Sequence, residues 1–155
     1  MVAILLFRYF SKVEVPKTEL NGDVIGKYSI ESILTLDKPY QCVFEKEDGV
    51  SKITANIFTN EKDIYADFAI QTNAGETGRF NSFFLIKDGS TYGWTSLSNL
   101  GYKTGVVKSA SINATPLEQA QIIGIKDKLD YKCKLLSQAD VSLFIVPSSI
   151  NFNEF

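Results

Sequence analysis

Alternating apolar and polar residues dominate the middle of the chain. Between residues 39 and 108, runs with a period of two are separated by short polar turns. Cys42 and Phe44, for example, alternate with the polar Gln41 and Glu45. A period of two predicts strands with one buried face. We therefore expect a meander of about six antiparallel strands, because strand–turn–strand order without helices between is not that of a parallel α/β sheet.

Polar turns predict where these strands reverse. Asp48 with Gly49, and Asp88 with Gly89, form the Asp-Gly pair that favours tight hairpins. The segment "TNEKD" at residues 59–63 predicts a further turn.

Three segments depart from the period of two and predict short helices. Ser29 is placed as an N-cap for a helix with Ile30, Ile33 and Leu34 on one face. Residues 115–124 begin with a capping-box signature, and residues 137–144 carry Ser137 and Asp140 at the same spacing.

Two further strands complete the pattern. Residues 129–135, "LDYKCKL", alternate with Tyr131 and Cys133 facing inward, and residues 149–155 predict a closing edge strand. The expected fold is mainly β (α+β): a curved antiparallel sheet or half-barrel with two or three short helices.

The N-terminus allows two interpretations. The apolar run "MVAILLF" is too short to span a bilayer and shorter than a normal signal core. It is either a buried first element or the end of a longer export signal or membrane anchor. Residues 12–27 then resemble a polar, extended tether. We therefore divide the chain into an N-terminal segment, residues 1–27, and a single β domain, residues 28–155.

Composition excludes several chemistries without indicating one. The net charge of -2 argues against a nucleic-acid partner. The absence of histidine removes the commonest general base and most zinc or iron sites. The acidic cluster at residues 45–49 lacks the order of a calcium loop and is typical of a hairpin tip. We expect no catalytic residues, no metal and no cofactor.

Cys42 and Cys133 are the two cysteines of the chain, and three interpretations apply to them. They are two free core residues, a reactive thiol, or a disulfide. Both occupy inward-facing positions of predicted strands near opposite ends of the domain, and this favours the disulfide. A reactive thiol needs a basic setting, whereas Lys132 and Lys134 point to the opposite face.

Large apolar side chains would line the interior of the curved sheet. They form either its own core or the wall of a trough that holds an apolar ligand. The residues that we expect to line such a trough are Phe44, Ile57, Phe68, Phe84 and Trp94.

A set of features along residues 29–153 forms a recognisable pattern: Cys42, the hairpin from Asp88 and Gly89 to Tyr92 and Trp94, Tyr131, Cys133, Asp140, Phe144, Pro147 and Phe152. In this pattern the chain resembles exported or membrane-anchored proteins of candidate-phylum bacteria, whose fold is similar to the lipoprotein-carrier half-barrel of the LolA type. Where those proteins often have a tryptophan after the second cysteine, this chain has Leu135 and Leu136, and it has no strong lipobox.

The resemblance implies export, disulfide formation and an open sheet that holds acyl chains, although fold alone does not determine function. We expect a non-enzymatic, extracytoplasmic binding protein at the cell surface or in a periplasm-like space, with a lipid or other apolar ligand. Its membrane association would involve the N-terminal segment alone. The alternative is a cell-envelope interaction module with a self-filled core and a protein partner.

Overall fold

The structure is a computed structural model that describes residues 14–33, 35–73, 78–105 and 127–154. These residues form an open, curved sheet of nine strands with few helices, which confirms the expected fold class. The elements are β1 (Val24–Tyr28), α1 (Ile30–Ile33), β2 (Tyr40–Glu47), β3 (Ser51–Asn60), β4 (Asp63–Thr72), β5 (Arg79–Lys87), β6 (Ser90–Thr95), β7 (Leu100–Gly105), β8 (Leu129–Leu135), a 3-10 helix (Val141–Phe144) and β9 (Asn151–Glu154).

The strand order is β1-β8-β2-β3-β4-β5-β6-β7-β9. Strands β2 to β7 form the predicted meander, and β8 lies between β1 and β2. Strand β9 pairs in parallel with β7, so the expectation of a purely antiparallel sheet is wrong at this edge. The chain between β8 and β9 returns to the start of β7, where the amide of Asn151 donates to the carbonyl of Asn99. Strand β9 then runs in the same direction as β7.

The predicted turns have the backbone that their residues favour. The Asp48 carboxylate accepts hydrogen bonds from the amides of Val50 and Ser51, at 3.0 and 2.8 Å. Asp88 and Gly89 both have positive φ, as in the hairpin turn that matches strand twist. These contacts are local, which is why the sequence indicated them.

The sheet begins earlier than expected. Val24 is fully buried and pairs with Cys133, so β1 lies mostly within the segment assigned to a tether. The boundary at residue 28 is therefore wrong. Residues 1–13, which include the candidate anchor, lie outside the described part of the chain, as does the helix predicted at residues 115–124.

The two short helices follow their capping residues. The Ser29 hydroxyl accepts a hydrogen bond from the Ser32 amide, which confirms Ser29 as the N-cap of α1. Near the C-terminus, Asp140 caps a 3-10 helix by accepting from the Ser142 amide at 2.9 Å. This helix is shorter than predicted because its cap is Asp140 and not Ser137.

The sheet buries side chains on both faces. We call the face that carries Cys42 the cystine face; it holds the larger core, with α1 contributing the buried Ile33. We call the opposite face the Trp94 face. There Leu85 and Phe144 are buried, and the Lys87 ammonium donates to the Phe144 carbonyl at 2.7 Å. The segment after β8 is thus held against the Trp94 face.

Candidate functional site

A disulfide joins Cys42 on β2 to Cys133 on β8. The two residues lie directly opposite each other in the ladder, between Val24 and Ile57 in the neighbouring strands. Their exposed fractions are 0% and 2%, so the bond is enclosed in the core of the cystine face. The expected bridge is confirmed, and the free-thiol interpretations are wrong.

Four of the five expected trough residues share the cystine face. Ile57 pairs with Ala66, which pairs with Phe84, and these three therefore project to one side of the sheet. In the next row, Phe44 and Phe68 flank Ala55. The small Ala55 lets the two phenylalanine rings approach to a centroid distance of 6.4 Å.

Burial on this face decreases from β2 toward β5. Phe44 and Ile57 are fully buried, whereas Phe68, Phe80 and Phe84 are only partly buried and pack against the edge of that core. The part of the expected trough at β2 and β3 is therefore filled by the protein itself. Its continuation at β4 and β5 is the part that retains accessible apolar surface.

Trp94 lies on the opposite face, so its assignment to the same trough is wrong. The two-residue turn at Asp88 and Gly89 pairs Phe84 with Gly93, which leaves Trp94 opposite Phe83. The Trp94 and Phe83 rings stack at a centroid distance of 5.3 Å. Because β5 is apolar on both faces, alternation alone could not assign the side of its neighbour.

An aromatic cluster fills the Trp94 face at β6 and β9. The Phe152 ring makes edge contacts with Tyr92 and Trp94, at centroid distances of 5.2 and 5.9 Å. Gly101 makes room for this ring, because a Cβ at that position would lie 2.6 Å from a Phe152 ring carbon. These aromatic residues are packed against each other, as in a second, smaller core.

A shallow groove of about 310 Å³ crosses β1, β8 and β2 on the same side of the sheet as Trp94. The Asp23 carboxylate at its rim accepts a hydrogen bond from the Leu135 amide at 2.9 Å, which assigns it a structural role. The lining residues are Asp23, Ile25, Gln41, Val43, Lys132, Cys133 and Lys134.

Tyr131 carries a buried polar atom in the core of the cystine face. Its exposed fraction is 1%, and its hydroxyl has no hydrogen-bond partner among the residues that the structure describes. The ring lies edge-on to Phe44 at a centroid distance of 5.1 Å. Loss of solvent around the hydroxyl raises the pKa of Tyr131, which keeps it a neutral donor. The alternation of residues 129–135 predicts that Tyr131 faces inward, but it does not predict the surroundings of the hydroxyl.

Within residues 14–33, 35–73, 78–105 and 127–154, no group of three or more acidic or cysteine side chains is arranged to hold a metal ion. No helix in that part of the chain has the length and apolar character needed to cross a bilayer.

Comparison of the chain with protein-family models, curated proteins and solved structures found no match.

Proposed function

We propose that this protein is an extracytoplasmic binding protein that holds an apolar ligand, such as a lipid acyl chain, against the cystine face of its sheet. One observation carries the proposal. The apolar face continues beyond the filled core onto β4 and β5, where Phe68, Phe80 and Phe84 keep accessible surface. Such a surface at the end of a core is the kind of site that takes an apolar ligand.

The disulfide supports the location. Disulfides form and persist in oxidising compartments and are rare in the reducing cytosol. The Cys42–Cys133 bond joins adjacent strands in the core of the sheet. A cell-surface or periplasm-like location agrees with this chemistry and with the resemblance to LolA-type half-barrels. The open, curved sheet has the general form that such carriers use.

Native mass spectrometry of the full chain, produced with export to an oxidising compartment, tests the proposal. We expect a co-purifying lipid, or uptake of a fluorescent long-chain acyl probe after delipidation. A protein that carries no lipid and takes up no probe would refute it.

Phe84 and Phe83 provide a matched pair of variants. They are neighbours on β5, both are partly buried, and they project to opposite faces. Phe84→Ala should weaken probe binding about tenfold, since a lost aromatic contact removes about 1–2 kcal/mol of apolar burial. Phe83→Ala should lower stability, because it removes the stack on Trp94, while the affinity of the folded protein for the probe stays unchanged.

A specific observation supports the second candidate, a cell-envelope interaction module. Val141 and Ile145, at the two ends of the 3-10 helix, are 68% and 63% exposed. Exposed apolar side chains beside a docked segment are typical of protein-binding surfaces. If the chain carries no lipid, and Val141→Ser with Ile145→Ser abolishes capture of an envelope protein without lowering stability, the second candidate replaces the first.

A further inference from the structure

Within the described part of the chain, the Tyr131 hydroxyl has no hydrogen-bond partner and lies in an apolar environment. A buried hydroxyl without a partner loses its hydration and gains no hydrogen bond in return, which costs about 1–3 kcal/mol. Buried polar groups in folded proteins are satisfied with few exceptions, and each exception calls for a physical explanation. Other buried hydroxyls of this protein do have partners: Thr59, for example, donates to the Lys38 carbonyl at 2.8 Å.

The hydroxyl lies at one end of the apolar row described above. The Tyr131 ring contacts Phe44, and Phe44 in turn faces Phe68 across Ala55. This row leads from the hydroxyl on β8 to the partly buried Phe68 on β4 and then to Ser82 on β5, and Phe84 lies in the neighbouring row. From β8 to β5 there are four strand spacings, about 19 Å, which matches an extended long-chain acyl group.

We propose that Tyr131 anchors the polar end of the bound molecule. Its O–H donates to an uncharged carbonyl oxygen, such as that of a carboxylic ester, in a long-chain lipid whose hydrocarbon extends from Phe44 past Phe68 toward Phe84 in the neighbouring row. This inference rests on the proposed function and adds the class of ligand to it.

The surroundings of Tyr131 favour an uncharged acceptor. The core cluster to which Tyr131 belongs consists of apolar and aromatic side chains and the disulfide. A carboxylate moved into such a cluster would lose its hydration, and its burial would cost several kcal/mol. An ester carbonyl accepts the same hydrogen bond at a much smaller cost of desolvation.

Access to the hydroxyl requires movement. Tyr131 and Phe44 are both shielded from solvent in the filled part of the core, so a carbonyl group reaches the hydroxyl only when the core side chains packed around the two rings move apart. Loading should therefore be slow compared with diffusion.

The test compares two ligands of similar length. The delipidated, oxidised full chain is equilibrated with methyl palmitate or with heptadecane, which lacks an acceptor, and binding is measured by native mass spectrometry. We expect wild type to prefer the ester about 3- to 10-fold, the effect of one hydrogen bond. Tyr131→Phe should remove this preference.

Tyr28→Phe is the matched control. Tyr28 belongs to the same core cluster, but its hydroxyl accepts a hydrogen bond from the Lys17 amide at 3.0 Å. This variant should keep the preference for the ester. A second measurement needs no variant: the infrared band of methyl palmitate labelled with ¹³C at its carbonyl should shift to lower frequency on binding to wild type.

The outcomes separate this inference from the proposed function. If wild type binds neither ligand, both are refuted. If it binds both ligands equally, with no carbonyl shift, the apolar site stands and the anchoring role of Tyr131 is refuted. A Tyr131→Phe variant that keeps the preference and the shift also refutes it. If that variant does not fold, the carbonyl shift in wild type decides.

Discussion

Loss of the Cys42–Cys133 bond should remove a large share of the stability of the protein. The bond closes a loop with a sequence separation of 91. For such a loop the chain-entropy model gives a stabilisation of about 4.6 kcal/mol at 25 °C. Domains of this size are stable by about 5–15 kcal/mol, so loss of the bond should remove between about one third and nine tenths of the stability.

The double variant Cys42→Ala with Cys133→Ala is the cleanest perturbation. Both residues are enclosed in the core, so each substitution also deletes a buried sulfur, at about 1 kcal/mol per site. We expect a total loss of about 7 kcal/mol. Substitution by serine should cost more, because it would bury a hydroxyl among apolar neighbours.

Urea denaturation, followed by the fluorescence of Trp94, measures the effect. The m-value should increase in the variant, because its unfolded chain is less compact without the cross-link. Wild type incubated with dithiothreitol should remain oxidised until it unfolds, because the bond is shielded from solvent. A loss below 2 kcal/mol with an unchanged m-value would show that the unfolded chain already keeps β2 and β8 together, and it would refute the entropic reasoning.

Three further predictions concern single positions. Gly101→Ala should destabilise the protein by about 1–3 kcal/mol in urea denaturation, because a Cβ would press on the Phe152 ring and on the backbone. Gly105→Ala on the same strand is the control: its Cβ would meet nothing within 4 Å, so stability should change by no more than about 0.5 kcal/mol. An equal loss of stability in the two variants would contradict the close packing at Gly101. Glu61 has a φ of 41°, so Glu61→Asn should raise stability by about 0.5–1 kcal/mol; a decrease would show that the glutamate side chain contributes more than the backbone. The raised pKa of Tyr131 means that the folded state resists its ionisation, so melting temperature should fall above pH 10, the ordinary tyrosine value. Tyr131→Phe should weaken this fall and, without lipid, stabilise the protein by about 1–3 kcal/mol; an unchanged alkaline profile would refute the assignment.

The sequence predicted the elements that depend on near neighbours. Strands β2 and β3 alternate in burial along most of their length, and the turns at Asp48 and Asp88 are held by residues within the turn itself. The two cysteines could be paired because both had inward parity and the chain offered no other partner. The strand and turn signals are local, and the cysteine pairing follows from the presence of two cysteines. Neither requires knowledge of the strand order in the sheet.

Elements that depend on distant partners were missed. Strand β1 is five residues long with Gly26 at its centre, and it pairs with residues more than 100 positions later. The parallel direction of β9 depends on the path of the whole preceding segment. The face of Trp94 depends on the register of one hairpin, and Leu85 forms a second core that a single-sided pattern did not predict. Alternation shows which residues of one strand share a face of the sheet. It does not show which residues of the neighbouring strand lie on that same face.

The position of β8 between β1 and β2 determines the order in which the sheet can assemble during synthesis. Strands β2 to β6 can pair as they emerge, since each follows its neighbour in the chain. Strand β1 is synthesised before the other strands, but its partner in the sheet is β8. It therefore cannot pair until residues 129–135 have been synthesised. Cys42 likewise has no disulfide partner until Cys133 has been synthesised. Strand β1 is thus among the last strands to dock, and the disulfide can form only after strands β2 to β7 are all present.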